Sequence, residues 1–225
     1  MKYLKRFNES IEDIDSICRN YGITNYTINK DGSVDVDGDV DGDVELSFKK
    51  LTRLPLKFRK VSGGFWCHYN QLTTLEGYPK EVSGGFWCND NQLTTLEGCP
   101  TEVEFDFYCD NNQLTTLEGC PKEVSGDFWC NDNQLTIINW NDVYTLNPTR
   151  INLEDSPIYE VYKIFPDFKT FIDSLEWNYF KEPNNYLKGP NIIIRNKFVE
   201  ACEILEEETG RTIKIPKKIN GYIFE

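Results

Sequence analysis

Residues 61–138 carry one phrase nearly four times: VSGGFWCHYNQLTTLEGYPKE, VSGGFWCNDNQLTTLEGCPTE, VEFDFYCDNNQLTTLEGCPKE and VSGDFWCNDNQLTIIN. Val61, Val82, Val103 and Val124 open the copies, so the period is a strict 21 residues. A fixed period of this size is the signature of a solenoid, in which each copy forms one coil and buries its apolar side against its neighbours.

The ladders within the repeat each have a physical reason. Phe65, Phe86, Phe107 and Phe128 stand two residues before Cys67, Cys88, Cys109 and Cys130. On a short strand that spacing turns both towards one side, the expected interior. Cysteine is small and readily buried, which suits a narrow coil. Asn70, Asn91, Asn112 and Asn133 follow where the chain leaves the strand; a side-chain amide there can satisfy backbone groups that no regular ladder reaches. Leu72, Leu93, Leu114 and Leu135, with Leu75, Leu96, Leu117 and Ile138, fill the rest of the interior. Gly77, Gly98 and Gly119, followed by Pro79, Pro100 and Pro121, turn the chain back. The resulting spacing, F-x-C-x-x-N-x-L-x-x-L, matches the leucine-rich-repeat pattern with Phe and Cys in the strand positions.

What remains points outward. Between the buried Phe and Cys lie Trp66, Trp87, Tyr108 and Trp129, expected to form a ladder about 14 Å long if coils stack at roughly 4.8 Å. Beside them come Gly64, Gly85, Asp106 and Asp127 on one flank and His68, Asn89, Asp110 and Asn131 on the other. An apolar stripe rimmed by polar groups reads as a binding face. The same rings can instead stack on one another and serve only the sheet.

Atypical coils extend the repeat at both ends. Val44, Leu46, Leu51 and Leu54 lie 21 residues before Phe65, Cys67, Leu72 and Leu75, and Ile151, Leu153, Ser156 and Ile158 repeat the spacing with Ser for Asn. The expected domains are a cap of helix and hairpin at 1–43, the solenoid at 44–158 and a helical module at 159–225. Within the first, Ile11, Ile14, Cys18 and Tyr21 suggest a helix over 10–21 stopped by Gly22, and Lys30-Asp31-Gly32 suggests a hairpin turn. Asp37, Asp39, Asp41 and Gly42 open like a calcium loop, but its twelfth residue is Phe48 rather than Glu, so the segment reads as strand and turn. In the last part, one helix is expected around Phe168, Phe171, Ile172 and Leu175. A second is expected from Asn191 through Ile194, Phe198, Ala201 and Leu205 to Gly210, before an extended tail. The predicted class is an α+β repeat protein, a leucine-rich-repeat-like solenoid of 21-residue coils between an N-terminal helix and hairpin cap and a C-terminal helical cap.

Composition narrows the function. Hydrophobic residues make up 39% and aromatic residues 14%, as in a folded chain, and the net charge of −13 argues against nucleic acid and anionic membranes as partners. No apolar run approaches the ~18 residues of a membrane span, and MKYLKRFNES lacks the apolar core of a secretory signal. The eight cysteines include no C-x-x-C, and there is a single histidine. Reduced core thiols are therefore expected, and no metal site. No G-x-G-x-x-G or P-loop occurs, so no cofactor is expected. His68 has no evident Ser or Cys partner, Asp106 and Asp127 read as a polar rim, and Cys202 reads as a core residue. An enzyme is not expected.

Several stretches together resemble uncharacterised leucine-rich-repeat proteins of tailed bacteriophages: Y-T-I-N-K-D-G-S-V-D-V-D-G-D-V, L-T-R-L-P-L-K-F-R-K-V-S-G, the coils F-W-C-x-x-N-Q-L-T-T-L-E-G-C-P-K-E-V, P-I-Y-E-V-Y-K-I-F and I-N-G-Y. The resemblance implies a phage origin and supplies no catalytic residues. The coils are also similar to those of bacterial leucine-rich-repeat ubiquitin ligases, but Cys202-Glu203-Ile204 lacks their Cys-x-Asp motif. Met1-Lys2 with Phe7-Asn8-Glu9 looks like the targeting peptide and protease site of phage internal head proteins, which have Leu or Ile where Phe7 stands. The expected function is non-enzymatic binding of a host or phage protein through the aromatic face, in the host cytoplasm during infection. The alternatives are a glycan-binding adhesin or a component packaged in the virion.

Overall fold

The computed structural model describes residues 13–38, 42–136 and 150–156, and in the C-terminal part 187–189, 192–193, 199–200, 202–203, 206–207, 210, 212–215, 217–218 and 223–224. Its centre is a β-solenoid of about five turns. The leucine-rich-repeat-like reading fits that architecture.

Each coil contributes a strand to each of two sheets, and the strands of successive coils pair in parallel. The first holds β1 (Tyr26–Ile28), β2 (Val34–Val36), β4 (Phe58–Val61), β6 (Glu81–Val82), β8 (Glu102–Val103) and β10 (Glu123–Val124) in that order. The second runs β3 (Val44–Glu45), β5 (Phe65–Trp66), β7 (Phe86–Trp87), β9 (Phe107–Tyr108), β11 (Asp127–Trp129) and β12 (Arg150–Asn152). A short corner such as Ser83-Gly84-Gly85 joins the two strands of a coil. Glycine is required there by close approach: a Cβ on Gly84 would lie 2.4 Å from the Gly64 nitrogen of the preceding coil.

The strict period puts like on like. Phe65 pairs with Phe86, Phe86 with Phe107 and Phe107 with Phe128; their fully buried rings stack at 5.7, 5.6 and 5.1 Å. The cysteine and leucine ladders line the same interior. Tyr78 fills the corner that Cys99 and Cys120 occupy in later coils, and its hydroxyl meets the Cys67 sulfur at 3.2 Å.

Asparagine staples successive coils. Asn91 Nδ2 donates to the Cys88 carbonyl of its own coil and the Cys67 carbonyl of the coil before, while its Oδ1 accepts from the Leu72 N–H at 2.9 Å. Asn70, Asn112 and Asn133 repeat the pattern. In the last coil Ser156 stands in, its Oγ accepting from the Asn133 N–H at 3.3 Å. The terminal coils follow the expected register, with Val44 opposite Phe65 and Ile151 opposite Phe128. Ile138 and Ile158 lie outside the described residues.

Helix α1 (13–20) ends at Gly22, whose φ of 69° is a left-handed stop, and Cys18 is buried. Ser10 and Ile11 lie outside the described residues. The expected hairpin forms between β1 and β2, with Asn29 N–H donating to the Ser33 carbonyl. Its second strand then pairs in parallel with β4, so the first sheet begins inside the hairpin. Asp35, buried on β2, is fixed by the Arg59 guanidinium of β4, which holds its carboxyl below the usual range.

In the C-terminal part the second expected helix starts late. Ile192–Ile193 form strand β14 between β13 (Leu187–Gly189) and β15 (Ile223–Phe224), and helical residues are described only from 199. Adjacent β-branched isoleucines favour the strand. Gly210 ends the helical stretch at φ 66°, and Cys202 is buried there. The helix expected around Phe168 lies outside the described residues.

Candidate functional site

The outer face of the second sheet gathers the candidate residues. Alternation along each two-residue strand turns Phe inward and the next ring outward, so Trp66, Trp87, Tyr108 and Trp129 line up in register and remain half-buried. Their ring centroids are 5.7, 5.3 and 5.8 Å apart along the column. The planes meet at 38°, 63° and 4°, so the rings do pack on one another. Glu45 and Asn152 occupy the rungs before and after them.

On one flank run Ser47, His68, Asn89, Asp110 and Asn131. His68 does have a hydroxyl partner: Ser47 Oγ lies 2.9 Å from its Nδ1. The sequence concealed this contact because the two residues sit one coil apart. Ser47 is 5% exposed and its N–H donates to Glu45 Oε1. A hydroxyl so enclosed serves the coil rather than a substrate, and burial lowers the pKa of His68. Asn89 and Asn131 donate to Asp90 and Asp132 beside them. The Oδ1 atoms of Asn89, Asp110 and Asn131 are buried without a hydrogen-bond partner. Burial, reinforced by Asp90 and Asp132, pushes the Asp110 carboxyl up to about 6.

On the other flank stand Asp43, Gly64, Gly85, Asp106 and Asp127. Asp43 Oδ1 accepts from the Gly64 N–H at 2.6 Å, and Asp106 Oδ1 from the Asp127 N–H at 2.8 Å. Where the rung is glycine the indole folds down over the backbone: a Cβ on Gly64 would lie 2.8 Å from Trp66 Nε1, and one on Gly85 3.2 Å from Trp87 Nε1. A hollow of about 400 Å³ opens on this flank.

Three residues were missed. Phe48, Tyr69 and Phe105, exposed by 67, 51 and 62%, are the large hydrophobics that protrude among the described residues. All border this face. Phe48 and Tyr69 follow the His68 flank, and Phe105 stands on the rim of the hollow. The signal was a break in the repeat, since Tyr69 stands where other copies have Asp90, Asn111 and Asp132, and Phe105 where they have Gly63, Gly84 and Gly126.

Among the described residues no group of three or more His, Cys, Asp and Glu could hold a metal ion, and no helix is long and apolar enough to cross a membrane. The ladder thiols are buried, and burial pushes Cys67 up to about 12 and Cys88, Cys109 and Cys130 well above their ordinary value. Comparison with protein-family models, with curated proteins and with solved structures finds no match. The chemistry of the face itself is what bears on its role.

Proposed function

We propose that the chain is a non-enzymatic protein-binding module that presents the Trp66, Trp87, Tyr108 and Trp129 face to a partner protein. One observation carries the reading: every strongly exposed large hydrophobic among the described residues borders this one face. Clustered rings with polar rims are the usual anatomy of an interface, and Trp and Tyr its usual energetic anchors. The resemblance in the repeat supports a phage protein meeting a host or phage partner in the infected cytoplasm, with packaging in the virion as the other setting. Helix α1, with Ile14, Ile17 and Tyr21 packed on the core, supports the N-terminal segment as a cap. The C-terminal segment takes the corresponding role at the far end, which makes the whole an α+β chain.

The test is affinity capture from infected cells by the intact chain, a Trp87→Ala/Trp129→Ala variant and a Glu81→Gln/Glu102→Gln control on the first sheet. A partner held by the intact chain and the control but lost by the ladder variant supports the reading. Retention by all three removes the face from consideration. A glycan-array hit abolished by the ladder changes would replace the protein partner by a sugar.

A further inference from the structure

Resting on the protein-binding reading, we infer that the hollow beside the ladder is a pocket for an arginine side chain of the partner. Its walls are the indoles of Trp66 and Trp87, and Phe105 stands at its rim. Gly64 and Gly85 carry no side chain, so the indoles lie down over their backbone and leave the flank beside them open. Asp43 and Asp106 both line it, while among the described residues no lysine, arginine or histidine does.

One oxygen of each carboxylate is tied to a backbone N–H, for Asp43 that of Gly64 on the hollow's own rung and for Asp106 that of Asp127 on the following coil; among the described residues the other oxygen of each accepts no hydrogen bond. An open hollow of about 400 Å³ has room for one long side chain laid along the indoles. Aromatic walls with two carboxylates and no base complement a cation. A planar guanidinium fits better than an ammonium, since it stacks on a ring while its fork of N–H groups reaches carboxylates.

Phe105 is the second, independent sign. Its rung is glycine in the neighbouring copies, at Gly63, Gly84 and Gly126, and the Phe105 ring is 62% exposed. Burying that ring contributes little to the fold, whereas against a guanidinium stem it would close the pocket. The rungs that follow the two glycines carry Asp106 and Asp127, so the hollow centres on the coils of Trp66 and Trp87 and is bounded by Asp43 on one side and by Phe105 and Asp106 on the other.

The probe is a glycine- and serine-flanked peptide with a single arginine, set against the same peptide carrying citrulline, the neutral isostere, or glutamate. Binding to the whole chain is followed by tryptophan fluorescence and by titration calorimetry. The arginine peptide should bind, with affinity at least tenfold lower for citrulline and none for glutamate. Asp106→Asn should weaken it about tenfold and Phe105→Gly about fivefold; the glycine variant restores the repeat and should keep the circular dichroism of the parent. Equal binding of arginine and citrulline, or unchanged binding by both variants, overturns the inference. So does absence of binding to the intact chain. If the arginine peptide fails while ladder-dependent capture of a partner persists, the pocket is wrong and the binding face stands; if both fail, both fall. A sugar that occupies the hollow and is displaced by Asp106→Asn also overturns it.

Discussion

Phe48 and Tyr69 stack with ring centroids 4.6 Å apart and planes 12° apart, although both hold left-handed backbone angles, with φ of 58° and 52°. The same rung in later coils is Asp90, Asn111 and Asp132, residue types that accept this conformation more readily. Two bulky residues there cost about 2 kcal/mol together, against about 1 kcal/mol for one exposed stacked pair. The double variant Phe48→Asn/Tyr69→Asn should therefore be more stable by about 1 kcal/mol in urea unfolding. Partner capture should weaken at the same time. A loss of stability would mean that the pair serves the fold.

The ladder and the core should respond differently to truncation. Phe107 is fully buried between two stacked rings, so Phe107→Ala should cost about 4 kcal/mol. Trp87 is half-buried, and Trp87→Ala should cost about 1 kcal/mol. Chemical denaturation of the two variants measures the contrast, and a small cost at Trp87 is what makes binding losses there interpretable.

Asn112 is buried and holds the Leu93 N–H and the carbonyls of Cys88 and Cys109. Alanine leaves these backbone groups without partners in the buried interior of the coil. Asn112→Ala should lose about 3 kcal/mol, read as a shift in the unfolding midpoint.

Asp110 should make the solenoid less stable as pH rises. Its folded carboxyl titrates near 6, above the ordinary value of 3.8, so the folded state binds more protons between those values. Its contribution is fully present below about pH 4 and is lost as pH rises through 6. Asp110→Asn should thus gain about 1 kcal/mol at pH 7.5, after allowing for solvent screening, and nothing at pH 4. Thermal unfolding at the two pH values reads the difference.

Thiol labelling tests the interior. Cys67, Cys88, Cys109 and Cys130 are buried with raised pKa values, whereas Cys120 is half-buried. Native alkylation at pH 8 should modify Cys120 before any of the four, which should react only after unfolding. Mass spectrometry of digested protein distinguishes the sites.

The repeat by itself determined the 21-residue coil, the buried Phe, Cys and Leu ladders, the asparagine staples and the outward rings. These depend on local alternation and on a period that repeats, both visible in one dimension. Tertiary structure decided the rest. Strands such as Glu81–Val82 are too short for alternation to announce them, so the first sheet and its union with the hairpin exist only through pairing between coils. The Ser47 and His68 contact joins residues 21 apart. Tyr69 and Phe105 were legible as breaks in the repeat, but their convergence on one face was not. The hollow itself follows from where the indoles fall once Gly64 and Gly85 leave room beneath them, a matter of packing that spacing along the chain does not encode.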